Sequence, residues 1–138
     1  MRKTSIYLLG AGIKGTLHLT VETIQALRAC KRVYVLHSDA AVIEHVRQYC
    51  PGVEDLAPLY DGQAVRNDVY HEISRRLVDA ALETAPVAFL VHGHPLFLVS
   101  ATEYTLELAE SKDLRVTVLP AVSSFDTLLC DLGIDYGY

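Results

Sequence analysis

The sequence predicts an open α/β fold, a mainly parallel five-stranded sheet with helices on both faces. Short β-branched or aromatic runs alternate with longer segments of helical period, the pattern of strands joined by crossover helices. Each short run is almost continuously apolar, as strands covered on both sides are. The 138 residues, 51% hydrophobic and 21% charged, are enough for one domain with a substantial core.

Taken in order, the first strand is Ser5–Leu9, running into the glycine turn Gly10-Ala11-Gly12-Ile13-Lys14-Gly15. The first helix is expected from Thr20, whose hydroxyl can cap it while Glu22 favours the positive helix end, to Ala29, with an apolar stripe of Val21, Ile24, Leu27 and Ala29. Arg32–Leu36 is the second strand. Ala40–Tyr49 is the second helix, closed by Pro51-Gly52, and Val53–Leu56 is a weaker strand. The third helix spans Val65–Glu83 and carries Val69, Ile73, Leu77 and Ala80 on one face. Strands Val87–Val91 and Arg115–Leu119 flank a helix at Ala101–Glu110, and a fifth helix opens after Ser123-Ser124.

Charge and cysteines narrow the function classes. A net charge of −5 and a pI near 5.6 argue against broad capture of nucleic acid or anionic membrane, which needs clustered Lys and Arg. Cys30, Cys50 and Cys130 form an odd set without CxxC spacing, so neither a disulfide framework nor a zinc site is indicated, and a cytoplasmic setting is expected. The apolar run Ile6–Leu9 after Met1-Arg2-Lys3 is too short for a signal sequence or a membrane span.

Ligand clefts of open α/β sheets lie beyond the carboxyl ends of the strands. That rule selects residues 10–19, 60–68, 92–98 and 120–124, where the unusual residues are concentrated. The Gly10–Gly15 turn matches the GxGxxG pattern that lets a pyrophosphate approach a helix end, or it is a tight turn needing positive φ. Thr16–Leu19 separates it from the cap at Thr20, which displaces the helix from any phosphate. Asp39 is either a ribose partner or the cap of the second helix. His92-Gly93-His94-Pro95 has HxH spacing but no third metal ligand is evident, so no metal is expected. Gly93 and Pro95 suggest a sharply turned backbone that meets a flat ligand with peptide groups, and Leu96-Phe97-Leu98-Val99 offers an apolar wall; the alternative is an ordinary turn with a buried Phe97. Ser123 or Ser124 can cap the fifth helix or contact a ligand. Arg66 and Tyr70 stand four apart, so the guanidinium can lie beside the phenol and favour its phenolate form, or simply stack on it at the surface.

Together these loops resemble the tetrapyrrole (corrin and porphyrin) methylase family of S-adenosylmethionine (SAM)-dependent methyltransferases. The resemblance runs in order through Gly10-Ala11-Gly12 with Leu19-Thr20-Val21-Glu22-Thr23, Val91-His92-Gly93-His94-Pro95, Leu119-Pro120-Ala121-Val122-Ser123-Ser124 and Asp131-Leu132-Gly133-Ile134-Asp135. Within the family the chain is most similar to the borosin-type peptide backbone N-methyltransferases, whose Tyr, Arg, Tyr set is matched by Tyr60, Arg66 and Tyr70. The resemblance implies that residues 1–138 are an N-terminal subdomain whose second subdomain lies outside this sequence. It implies SAM contacts at His92, Gly93, His94, Pro95, Phe97, Leu98, Ser123 and Ser124, largely through backbone atoms, with Gly10 and Gly12 in the substrate cleft. Tyr70, aided by Arg66, would take the proton of a peptide amide while Tyr60 orients the carbonyl. A homodimer and a peptide or small-molecule acceptor are also implied. Two departures stand out: Ala121 replaces a common Gly, and His92 replaces an aromatic residue of the borosin enzymes. The rival readings are methylation of a tetrapyrrole or other small molecule, a non-catalytic dimerising or binding fragment, and an NAD-dependent oxidoreductase.

Overall fold

The computed structural model describes residues 3–37, 39–61, 65–97 and 99–137. The strands are β1 (Ile6–Gly10), β2 (Arg32–Leu36), β3 (Val53–Asp55), β4 (Val87–Val91) and β5 (Val116–Val118); the helices are α1 (Val21–Ala29), α2 (Ala40–Arg47), α3 (Arg66–Thr84), α4 (Ser100–Ser111) and α5 (Ser124–Leu132). All strand pairs are parallel and the order across the sheet is β3-β2-β4-β1-β5.

Alternation along the strands divides the core into two layers, because successive side chains leave a strand on opposite faces. Val87, Phe89 and Val91 of β4 join Ile6 and Leu8 under α3 and α4, with Val69, Ile73 and Leu77 from α3 and Ala101 and Ala109 from α4. Ala88 and Leu90 point the other way and join Leu9, Val33 and Val35 under α1 and α2, with Ala26, Leu27, Val42 and Val46. The expected face of the third helix is therefore the buried one. The expected stripe of the first helix is corrected: Thr23, Ala26 and Leu27 are buried, whereas Val21 is 71% exposed and Ala29 lies outward. Val21 is the first residue of α1, and the face of the helix that meets the sheet is the one carrying Thr23, Ala26 and Leu27.

Local chemistry starts the helices. The Thr20 hydroxyl accepts from the Thr23 amide, and Asp39 accepts from the Ala41 amide, so Asp39 is the cap of α2. At α5, Ser123 and Asp126 form a reciprocal capping box, and Gly133 in the left-handed region ends the helix. No helix among the described residues is long and apolar enough to cross a membrane.

The topology creates a crevice. β1 and β4 lie side by side, yet the chain leaves β1 toward α1 on one face and leaves β4 toward α4 on the other. The tips of these two strands are the switch point where α/β proteins bind ligands.

Candidate active-site cleft

Three turns meet at this switch point. Beyond the β1–β4 ladder, Gly12 and Gly93 exchange two backbone hydrogen bonds, Gly93 N–H to Gly12 O at 2.9 Å and Gly12 N–H to Gly93 O at 3.3 Å. Gly10 explains how close the turns come. A methyl group there would overlap the Gly93 carbonyl oxygen and stand 2.7 Å from Cβ of Ala121, so any side chain would wedge the turns apart. The tips of β4, β1 and β5 thus form one continuous backbone surface. Ala121 is itself part of that contact through its Cβ.

Each turn is braced by a side chain. In the glycine turn, His18 Nδ1 accepts from the amides of Ile13 and Lys14, both at 3.0 Å. Gly12, at φ +73°, leaves room for that ring, since a methyl group there would strike Cβ of His18. Residues Gly15–His18, between the glycines and Thr20, form a 3-10 turn that brings the half-buried His18 ring back onto the glycine turn. Two amides that would hold a pyrophosphate are therefore already taken, which removes the basis of the NAD reading. In the β4–α4 turn, His94 Nδ1 accepts from Leu96 N–H at 3.0 Å and the His94 carbonyl accepts from Phe97 N–H at 3.2 Å. In the β5–α5 turn, Asp126 Oδ2 accepts from Ser123 N–H at 2.7 Å. Those bonds with Ser123, and then the nearby His94, hold the Asp126 carboxyl below its ordinary range. The His94 and Ser123 turns are thus neighbours.

The turn at Gly93 has an open side, where an added methyl group would meet only Ile13 Cδ1 at 3.6 Å. Pro95 beside it is buried, while Leu96 and Phe97 are exposed apolar surface; the alternative of a buried Phe97 is corrected, as it is 41% exposed. Leu98 lies outside the described residues. Peptide groups flanked by apolar surface suit a ligand combining a flat base with polar sugar and amino-acid parts.

The second cluster comes from the β3–α3 connection, in which residues 62–64 lie outside the described residues. Tyr60 and Tyr70 meet edge to face with ring centroids 6.3 Å apart. Burial, and then the neighbouring Tyr70, raise the Tyr60 phenol above its ordinary range, while the Arg66 charge acts against that rise. The Arg66 charge thus reaches Tyr60, which packs against Tyr70 near the start of α3. Both tyrosines pack on the core face formed by α3 and α4.

Sequence reasoning passed over His18 and His37. His37 follows β2, and its Nε2 lies 3.2 Å from Nδ1 of His92, which follows β4. The strand-tip rule covers the β2 loop too and would have found it. The buried cysteines play no part here: burial, helped by Cys50, pushes the Cys30 thiol up to about 12, which leaves it protonated and inert. Among the described residues no group of three or more His, Cys, Asp or Glu is placed to hold a metal ion.

Fold and cleft together define the class: an open parallel α/β protein whose backbone turns gather at the switch point of the sheet. The chain belongs to the Tetrapyrrole (Corrin/Porphyrin) Methylases, whose family model matches residues 5–138. Among curated relatives, it is 28% identical over 135 residues to a methyltransferase/ribosomally synthesized type I borosin cyclic peptide precursor of Serendipita vermifera subsp. bescii, a match covering 97% of this chain and 33% of that protein. It is also 28% identical over 131 residues to the omphalotin A precursor methyltransferase of Omphalotus olearius, covering 95% of this chain and 31% of that one. Uroporphyrin-III-C-methyltransferase from Thermus thermophilus superposes with a TM-score of 0.68 at 27% identity, over 96% of this chain and 54% of that chain. Diphthine synthase, at 22% identity and a TM-score of 0.71 over 94% of this chain and 49% of that one, shares the fold. The chain spans about a third of the length of these two curated relatives.

Proposed function

We propose that this chain supplies the cofactor-binding half of a SAM-dependent methyltransferase that methylates backbone nitrogens of a peptide. The observation that carries the reading is the direct contact of Gly10 with both Gly93 and Ala121, which joins three turns into one floor. Its relatives named as methyltransferase/cyclic peptide precursors support a peptide as acceptor. Within this reading the chain is the N-terminal subdomain of a cytoplasmic homodimeric enzyme. The apolar side chains left uncovered on and after α5, Phe125, Leu128, Leu132 and Ile134, are the surface on which a second subdomain packs.

The turn residues His92, Gly93, His94, Pro95 and Phe97, with Ser123 and Ser124 at the start of α5, hold the cofactor. Leu98 belongs to the same assignment. Gly10 and Gly12 form the floor on which the acceptor lies. Bound SAM supplies an already activated methyl group, so the protein must align the acceptor in line with it and manage one proton. Tyr60, kept protonated by burial, donates its hydroxyl hydrogen to the carbonyl of the acceptor amide. Tyr70, acting as the phenolate that the Arg66 charge favours, takes the amide proton and becomes a neutral phenol, so the negative charge passes to the acceptor amide as it is methylated.

Calorimetry with SAM on the full-length protein tests the cofactor, and absence of binding defeats the reading. Tyr70→Phe tests the proton transfer. Methylation is expected to fall about 10²–10⁴-fold with SAM affinity retained; methylation at the wild-type rate defeats the assignment. A tetrapyrrole or other small-molecule acceptor is the second reading, favoured by the 27% identity to the uroporphyrin-III-C-methyltransferase. Competing a peptide against a tetrapyrrole for methyl transfer decides between them.

A further inference from the structure

The histidines at the tips of β2 and β4 are 55 residues apart in sequence and in contact in space. Their hydrogen bonds determine where both protons sit. Asp39 N–H donates to His37 Nδ1 at 2.9 Å, so that nitrogen carries no proton and neutral His37 holds its hydrogen on Nε2. His37 Nε2 lies 3.2 Å from His92 Nδ1, so it donates and His92 Nδ1 accepts. The rings cross at 66° with centroids 5.1 Å apart, edge to face. The proton of His92 must then be on its own Nε2, at the far side of the ring. His92 is exposed and stands between the last residue of β4 and the Gly93 turn. Burial, and then His92, lower the His37 pKa against the opposing charge of Asp39, which keeps the donor arrangement at neutral pH.

We propose that His92 points this Nε2–H at a carbonyl or carboxylate oxygen of the bound ligand, and that His37 is a positioning residue that locks the His92 tautomer. The inference rests on the methyltransferase reading of the cleft. Two ligands carry such an oxygen there, SAM in its carboxylate and the acceptor peptide in its amide carbonyl. A tautomer held by a second histidine costs nothing to select when the ligand arrives, so the contact also discriminates between ligands with and without an acceptor at that point.

Nitrogen-15 NMR of histidine-labelled full-length protein, at mildly alkaline pH, reads the tautomers without any turnover. The expected spectrum has both His37 and His92 protonated on Nε2, with a mixed His92 tautomer in His37→Phe. Kinetics then identify the oxygen. His92→Phe is expected to raise one KM about three- to tenfold, the worth of one hydrogen bond, and His92→Gln, whose side-chain amide keeps an N–H near the same place, restores it. A rise confined to SAM assigns the oxygen to the cofactor, and a rise confined to the peptide assigns it to the acceptor. His92 protonated on Nδ1, or both KM values unchanged in His92→Phe, overturns the proposal. A wild-type protein that fails to bind SAM instead defeats the methyltransferase reading, so the two failures are told apart.

Discussion

Strand β4 and helix α5 belong to one domain and are packed in opposite ways. All five residues of β4 are buried, whereas no residue of α5 is buried and its apolar side chains Phe125, Leu128 and Leu132 are exposed. β4 has a strand on each side and a helical layer on each face, so every side chain finds its partners within this chain. α5 follows the edge strand β5, whose three residues are only half buried, and it depends on its own capping box for a start. The centre of the sheet therefore carries stability, while the edge offers surface.

The largest effect expected from this contrast is at Phe89, which is fully buried in β4. Phe89→Ala should cost about 3–5 kcal/mol in a denaturant titration, because a cavity opens in the close-packed layer under α3 and α4. Leu128→Ala on α5 should stay within about 0.5 kcal/mol in the same 138 residues, and a loss comparable to that at Phe89 would erase the distinction. Gly10→Ala comes next, at about 1–3 kcal/mol. Its more telling readout is SAM affinity, which should collapse as the β1, β4 and β5 tips are forced apart. Ser123→Ala should cost about 1 kcal/mol by removing the α5 cap, and amide exchange should quicken in the first turn of α5 while β4 stays protected.

The smallest effect is set by pH. His37 titrates lower in the folded protein than its ordinary 6.5, owing first to burial and then to His92. The unfolded chain therefore binds that proton first. Stability is complete above about pH 6.5 and declines as pH falls from there to the folded value. Comparing denaturation midpoints of wild type and His37→Phe across that window isolates the contribution; a slope that rises toward acid would reverse the sign and the interpretation.

Local order was legible in the residues alone. Arg32–Leu36 and Val87–Val91 coincide with β2 and β4, and the caps Thr20, Asp39 and Ser123 lie where their hydroxyl or carboxylate chemistry places them. These signals act over one to four residues, the range over which strand alternation and helix capping operate. The buried face of α1 was not legible in the same way, since a stripe containing Val21 and one containing Thr23 and Ala26 differ only by a rotation that the sheet selects.

What the sequence by itself determined is the set of elements, their caps and the four loops dense in glycine, proline, histidine and tyrosine. Only the tertiary structure decided that β4 inserts between β2 and β1. That order presses Gly10 on Gly93 and sets His37 against His92. Parallel pairing is decided by which buried faces match once crossover helices have closed loops of many residues, so its outcome is written in no short stretch of chain.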